Sequence, residues 1–490
     1  MKKVYVLILL CFIANGYADD LPDLGDSSAT ALSPVEERRI ADSILRDVMS
    51  SNEVITDPEI VDYVQNLGQK LVNSSPGRFD SFNFFVVNDQ SINAFAMPGA
   101  IIGVHTGLIV AAENEDEVAS VLGHEIGHVV QHHLARMLAQ QKRDSFFNLA
   151  GMGLALLAAR ANPELSQAAF TTSAAAGIQR QLDFTRDHER EADRVGLDIL
   201  NKAGFDARAM PSFFEILQKG SRFSEGGAPS FLRTHPLTSE RIADVKNRVD
   251  QFAFRASKAS EDFGFIRAKI LASQGNAIDA IALFKANIAE LTVNSTANSA
   301  TSSTENVATN TTEYLAANHY GLAVAVMRAN DIKTANAAFN AIQLNTKNSY
   351  TSQLGADIAM AQKNYPLAQQ RYQTALSTYP SARSLIFGYA NLLITLNKLQ
   401  QSIDFIKEKQ TVLTHDAMLY ELLSRAYTLQ GRELLRHQAQ AEAYYRRYNL
   451  PAAIGQMDLA VRAGDGDFYQ KSSVEARLKE FKLQVTAPDS

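Results

Sequence analysis

Residues 118–133, VASVLGHEIGHVVQHH, decide how this chain is read. Val118, Val121 and Leu122 recur at helical spacing and mark a buried helix expected over Asn114–Leu134. Within it stands His124-Glu125-Ile126-Gly127-His128. Residues four apart on a helix lie one above the other, about 6 Å apart, so two imidazoles can grip one metal ion. Glu125 projects about 100° further round the axis, beside such an ion rather than on it. There it can take a proton from water activated by the metal, which makes H-E-x-x-H a zinc-hydrolase pattern and Glu125 its general base.

Catalytic zinc takes three protein donors and keeps a fourth position open. His132 fails as the third, because His124 and His132 are separated by about 12 Å along a continuous helix. His132 and His133 read as helix-end histidines. A better source is His188-Glu189-Arg190-Glu191-Ala192-Asp193, at the start of a helix expected over His188–Lys202 and closed by Gly204. Glu189 and Asp193 share one face, so Glu189 can ligate zinc while Asp193 accepts the free N–H of a ligand imidazole. Glu191 competes for the ligand role from another side of that helix. Without the upstream motif this acidic run would read as a solvated face.

Around this centre the chain divides in two. Helices expected over Glu36–Met49 and Asp57–Val72, and strands over Phe82–Val87 and Ala100–Ile109, place the motif in a mostly helical α+β domain with a small sheet, residues 19–255. The strand Ala100–Ile109 is a candidate edge for pairing with an extended peptide, or else an ordinary core strand. From 260 to 488 a step of about 34 residues recurs. Ala268, Ala280 and Phe284 start it, followed by Ala323, Ala335 and Phe339, and then by Ala356, Ala368, Tyr372, Ala375 and Pro380. Ala390, Ser402 and Ile406 continue it, and Ala441, Ala453, Met457 and Ala460 end it. Small residues let paired helices approach while the large one fills the groove between pairs, giving an all-α tetratricopeptide solenoid with a surface for a partner or an unfolded client. Asn294–Thr312, nearly all Ser, Thr, Asn and Ala, reads as a flexible insertion within it.

The amino terminus reads as an address. Lys2 and Lys3 precede an apolar run from Val4 to Ala14, and Gly16-Tyr17-Ala18 offers a small-x-small cleavage site, so residues 1–18 have the form of a cleaved secretory signal. The single cysteine, Cys11, lies inside that run, which excludes disulfides and thiol catalysis from the mature chain. The 490 residues carry 53 acidic against 47 basic side chains, net -6, a balance that argues against nucleic acid as partner. The uncharged stretch Phe146–Ala159 stops at Arg160, too short to span a bilayer, and suits a buried or interface-lying helix with peripheral membrane contact.

HEIGH followed by Glu189-x-x-Ala192-Asp193 resembles the gluzincin metallopeptidases related to HtpX. Asn93-Ala94-Phe95-Ala96-Met97-Pro98-Gly99, Val104-His105-Thr106-Gly107-Leu108-Ile109, Ala192-Asp193-Arg194-Val195-Gly196 and Thr234-His235-Pro236-Leu237 are similar to the secreted, repeat-bearing BepA type. Pro98-Gly99-Ala100 departs from that group's PGG. The resemblance spans nearly the whole chain. It implies a periplasmic zinc metalloendopeptidase and chaperone, with one zinc ion per chain, associated with the inner face of the outer membrane. Through its repeats it would work with the β-barrel assembly machinery and remove misassembled outer-membrane proteins. Position by position, the resemblance implies His124, His128 and Glu189 as ligands, Glu125 as base and Asp193 as the residue orienting an imidazole. His235 would be a fourth ligand that holds the enzyme off, or alternatively a capping or transition-state-stabilising histidine. Arg241 would be an oxyanion contact. A rival reading is a non-proteolytic assembly scaffold with a locked zinc site.

Overall fold

Two amphipathic helices, α1 (Pro34–Ser50) and α2 (Pro58–Val72), lead into the sheet in a computed structural model of the chain. It describes residues 34–77, 82–139, 186–223, 229–255, 260–298, 305–342 and 348–486. The signal stretch 1–18 and the apolar stretch 146–159 lie outside these. Among the described residues no helix is long and apolar enough to cross a membrane. Asp57 caps α2 through the backbone N–H groups of Glu59 and Ile60, and Pro58 occupies the first turn, where no N–H is needed.

Strands β1 (Asn83–Val87), β2 (Ala94–Met97) and β3 (Ile101–His105) form one sheet in the order β1-β3-β2. β1 runs parallel to β3, and β2 antiparallel. The stretch Ala100–Ile109 is therefore not an edge. Its strand portion is central and buried at every position, and it ends at His105, where helix α3 (Thr106–Ala111) begins. The Thr106 hydroxyl and the Gly107 N–H both bond to the Asp89 carbonyl, which pins the switch from strand to helix. The rim of β1 is covered by Val54, bridged to Val87, and by Ile55, whose N–H bonds to Val86. Among the described residues no strand pairs with the outer edge of β2.

Helix α4 (Glu115–Val130) starts on an Asn114 cap, with Glu115, Asp116 and Glu117 in its first turn, where acidic charge suits the helix dipole. It stops short of the expected Leu134: His132 adopts φ +50°, and a separate short helix, α5 (His133–Ala139), follows. Helices α6 (Arg186–Lys202), α7 (Ala209–Phe223), α8 (Ser230–Thr234) and α9 (Ser239–Val249) complete the half that carries the H-E-x-x-H helix.

Twelve helices from Glu261 to Thr486 follow among the described residues, packed in antiparallel pairs. The small positions of the repeat are sealed: Ala323, Ala335, Ala356, Ala368, Ala390, Ser402, Ala441, Ala453 and Ala460 have no exposed surface. The hairpin turns repeat as well, with left-handed residues at Asn330, Lys363, Asn397 and Gly431, in steps of 33 or 34. The stretch 294–312 is not one open insertion. Helices run to Asn298 and resume at Glu305, extended from well-packed neighbours by alanine-bearing sequence of adequate helix propensity.

The surface expected to await a partner is partly seated on the half that carries the H-E-x-x-H helix. Lys269 pairs with Asp57 at 2.7 Å and with Glu59 at 2.5 Å, the Tyr320 hydroxyl donates to Glu59 at 3.3 Å, and Arg383 joins Asp62 to Asp416. One hydrophobic cluster runs from Ile60, Tyr63 and the sheet through Phe265 and Phe284 to Ile358.

Burial pushes the Glu59 carboxyl up to about 7, outweighing the pull of Lys269, with Asp57 and Asp357 adding repulsion. The folded state therefore holds this proton more tightly than the unfolded chain does. The resulting stabilisation is full below the ordinary carboxylate value of 4.5 and is lost as pH rises through about 7. Compared with Glu59→Gln, the wild type should lose about 3 kcal/mol of stability between pH 5 and pH 8. Chemical denaturation of both proteins across that range measures the difference, and parallel curves would refute the assignment.

Candidate metal centre

Helix α4 brings His124 and His128 to one face, and helix α6 crosses it closely enough to deliver Glu189 and Asp193. The approach depends on glycine. A Cβ on Gly127 would sit 2.9 Å from the Ala192 carbonyl oxygen, and one on Gly196 3.0 Å from the His124 backbone nitrogen. At the crossing the backbones touch, and the side chains one turn away converge.

Four candidate donor atoms, from His124, His128, Glu189 and His235, lie within 4.8 Å of one another, all buried. His124 Nε2 is 3.0 Å from His128 Nε2, and the Glu189 oxygens lie 3.5 and 3.3 Å from those two nitrogens. His235 Nδ1 is 3.0 Å from Glu189 and 3.3 Å from His124 Nε2. His235 follows α8, and its ring stacks on Phe231, with centroids 4.6 Å apart. Behind the cluster, His124 Nδ1 meets Asp193 at 3.0 Å.

Arg241 is not placed as an oxyanion contact. It is 2% exposed and grips Asp193 through two bonds of 2.7 Å, pairs with Glu189 at 2.7 Å and donates to the Pro236 carbonyl. A buried carboxylate pair needs such a cation, so Arg241 belongs to the frame of the site.

Two neighbouring residues are placed by the fold. His133, at the start of α5, is fully buried, 2.9 Å from His128. Glu191 turns away from the cluster to His133 and Arg136. The five-residue step from His128 to His133 concealed this contact, since a continuous helix would carry His133 to a different face. The left-handed His132 folds it back.

The protonation pattern shows what the cavity wants. Burial would lower His124, but its bonds to Asp193 and Glu189 win and raise it to about 10. Burial drives His128 down to about 3. Burial would raise Glu189 too, yet His235, His124 and His128 hold it well below its ordinary value. Glu125, at the same level, is raised, chiefly by burial. Glu189 Oε2 lies 2.7 Å from Arg241 Nη1, while Glu125 has the Ala96 backbone and, at 3.5 Å, His235 beside it. A buried Glu189 carboxylate beside the converging nitrogens of His124, His128 and His235 has the chemistry of a divalent-metal donor set. The residues fit such an ion.

An H-E-x-x-H helix crossed by a downstream acidic helix, with four candidate donors converging, has the arrangement of a metalloprotease site. Residues 59–249 match the model of peptidase family M48. The chain is 30% identical to the beta-barrel assembly-enhancing protease of Escherichia coli (strain K12), over 98% of this chain and 97% of that one. It is 40% identical to the putative beta-barrel assembly-enhancing protease of Vibrio cholerae, over 53% of this chain and 54% of that one. Identity to the mitochondrial metalloendopeptidase OMA1 of Arabidopsis thaliana is 30% over 46% and 44% of the two chains. The chain belongs to peptidase family M48. The solved P58(IPK) TPR domain, 11% identical over 66% of this chain and 98% of that one, superposes with a TM-score of only 0.15, so the repeat assignment rests on the helix pairs themselves.

Because the crossing has no room at Gly127, Gly127→Ala should destabilise the fold by roughly 1–3 kcal/mol, as overpacking does. Gly123→Ala should cost less, since its Cβ would meet the Gly196 oxygen at 3.2 Å. Thermal unfolding of the two variants tests the ranking.

Proposed function

We propose that the metal is zinc, one ion per chain, held by His124, His128 and Glu189, and that the protein is a periplasmic endopeptidase acting on misassembled outer-membrane proteins. The observation that carries the reading is the Glu125 carboxyl, fully buried, 3.5 Å from His235 and beside the four candidate donors. When bound, zinc would act as a Lewis acid toward a peptide carbonyl and water. Glu125 takes the proton of the attacking water and returns it to the departing amine, and its raised affinity for a proton suits both steps. Asp193, fixed by Arg241, keeps the His124 proton on Nδ1 and leaves Nε2 free to ligate. The outer edge of β2 offers backbone groups to an extended substrate, giving binding with little sequence preference.

The signal-like amino terminus and the named activity of the relatives support export and β-barrel clients, with the repeats contacting the assembly machinery and chaperoning clients. His235 favours a second reading, a scaffold with a locked site. Its Nε2 lies 3.5 Å from Glu125, and a fourth side-chain donor occupies the position that substrate and water require. The proposed resting state is therefore closed and opens when His235 withdraws.

Glu125→Gln should bind one equivalent of zinc and lose roughly 10²–10⁴-fold in casein hydrolysis. His235→Ala should be more active than wild type. Metal analysis combined with a peptidase assay decides both. Undiminished turnover by Glu125→Gln would remove the base, and an inert His235→Ala that still binds zinc would favour the scaffold.

A further inference from the structure

His133 and Glu191 have no part in the ligand set, yet they complete a chain of contacts that begins at His128. The direction of that chain follows from tautomer chemistry. His128 turns Nε2 toward Glu189 and His124, so a neutral ring ligating through Nε2 carries its proton on Nδ1. His128 Nδ1 faces His133 Nδ1 at 2.9 Å, and one of these two nitrogens must accept. With the His128 proton on Nδ1, His133 accepts there and carries its own proton on Nε2. That nitrogen lies 3.0 Å from Glu191 Oε2, a carboxylate that only accepts. Arg136 donates to the same oxygen at 2.6 Å. The His128 Nδ1–H and the His133 Nε2–H then each meet an acceptor, both in one direction.

We infer that His133, anchored by Glu191 and Arg136, is a positioning residue that fixes the tautomer and ring plane of His128 and so sets metal affinity. The inference rests on the metal reading proposed above. The two ligand histidines are thereby supported differently. His124 leans on the buried carboxylate of Asp193, neutralised by Arg241. His128 leans on a neutral imidazole, and the carboxylate behind it, Glu191, is 38% exposed at its side chain. Local geometry builds this link. The left-handed His132 ends α4 and folds His133 back beneath His128, where it stacks on His188 with centroids 4.5 Å apart.

The test measures zinc dissociation constants by chelator competition in the Glu125→Gln background, so that self-digestion plays no part. His133→Phe keeps the ring volume but neither accepts nor donates, and should bind zinc about 10–100-fold more weakly. His133→Gln, whose amide can accept from His128 and donate to Glu191, should recover most of that loss. Glu191→Ala, at a partly exposed position where folding is not at risk, should weaken zinc several-fold. Unchanged affinity in both His133→Phe and Glu191→Ala would overturn the inference. So would equal weakening in His133→Phe and His133→Gln accompanied by lower thermal stability without metal, which would mark His133 as packing alone. If the parent protein itself binds no zinc, the metal reading falls, and this inference falls with it.

Discussion

The close passage of two helices governs the molecule. α4 and α6 can touch only because Gly123 and Gly127 face Ala192 and Gly196, with no side chain between their backbones. A side chain there would press on the facing backbone and push apart the helices that carry Glu189 and Asp193 on one side and His124 and His128 on the other. The sheet, the repeats and the capping residues hold that contact in place, and chemistry becomes available only where it holds.

The same contact creates an electrostatic problem that the surrounding residues solve. Three carboxylates and three imidazoles are packed where water does not reach, and no such cluster survives unpaired. Arg241 answers Asp193 and Glu189 from one side, and Glu191 and Arg136 terminate the network on the other. Glu125 stands beside this pairing, 3.5 Å from His235, with its carboxyl pushed up chiefly by burial.

Much of this was legible in the sequence because periodicity carries it. The H-E-x-x-H step, the four-residue step from Glu189 to Asp193 and the 34-residue recurrence each express a fixed rise or rotation, and the structure places those residues together. The misreadings came where geometry depends on a single backbone angle or on distant contacts. Nothing in Gln131-His132-His133 announces that His132 turns left-handed, so the contact of His133 with His128 is invisible in the sequence. Thr106 ends a strand that its apolar neighbours would have continued, because it bonds to Asp89, seventeen residues earlier. Arg241 follows His235 closely enough to suggest catalysis, but its role is set by carboxylates that reach it only through tertiary folding.

The apolar cluster joining α2 to the first repeat helices also limits how such a protein can change over generations. A solenoid usually tolerates gain or loss of whole units, since each touches only its neighbours. Here the units as far as Ile358 share their interior with the peptidase. Deleting one of them would uncover Ile60, Tyr63 and the Glu59–Lys269 pair to solvent, whereas the units beyond have separate cores around Leu423 and Phe481 and meet the peptidase through single side chains such as Arg383 on Asp62 and Tyr448 on the α1 cluster. Diversification of partner recognition is thus steered to the far end of the array.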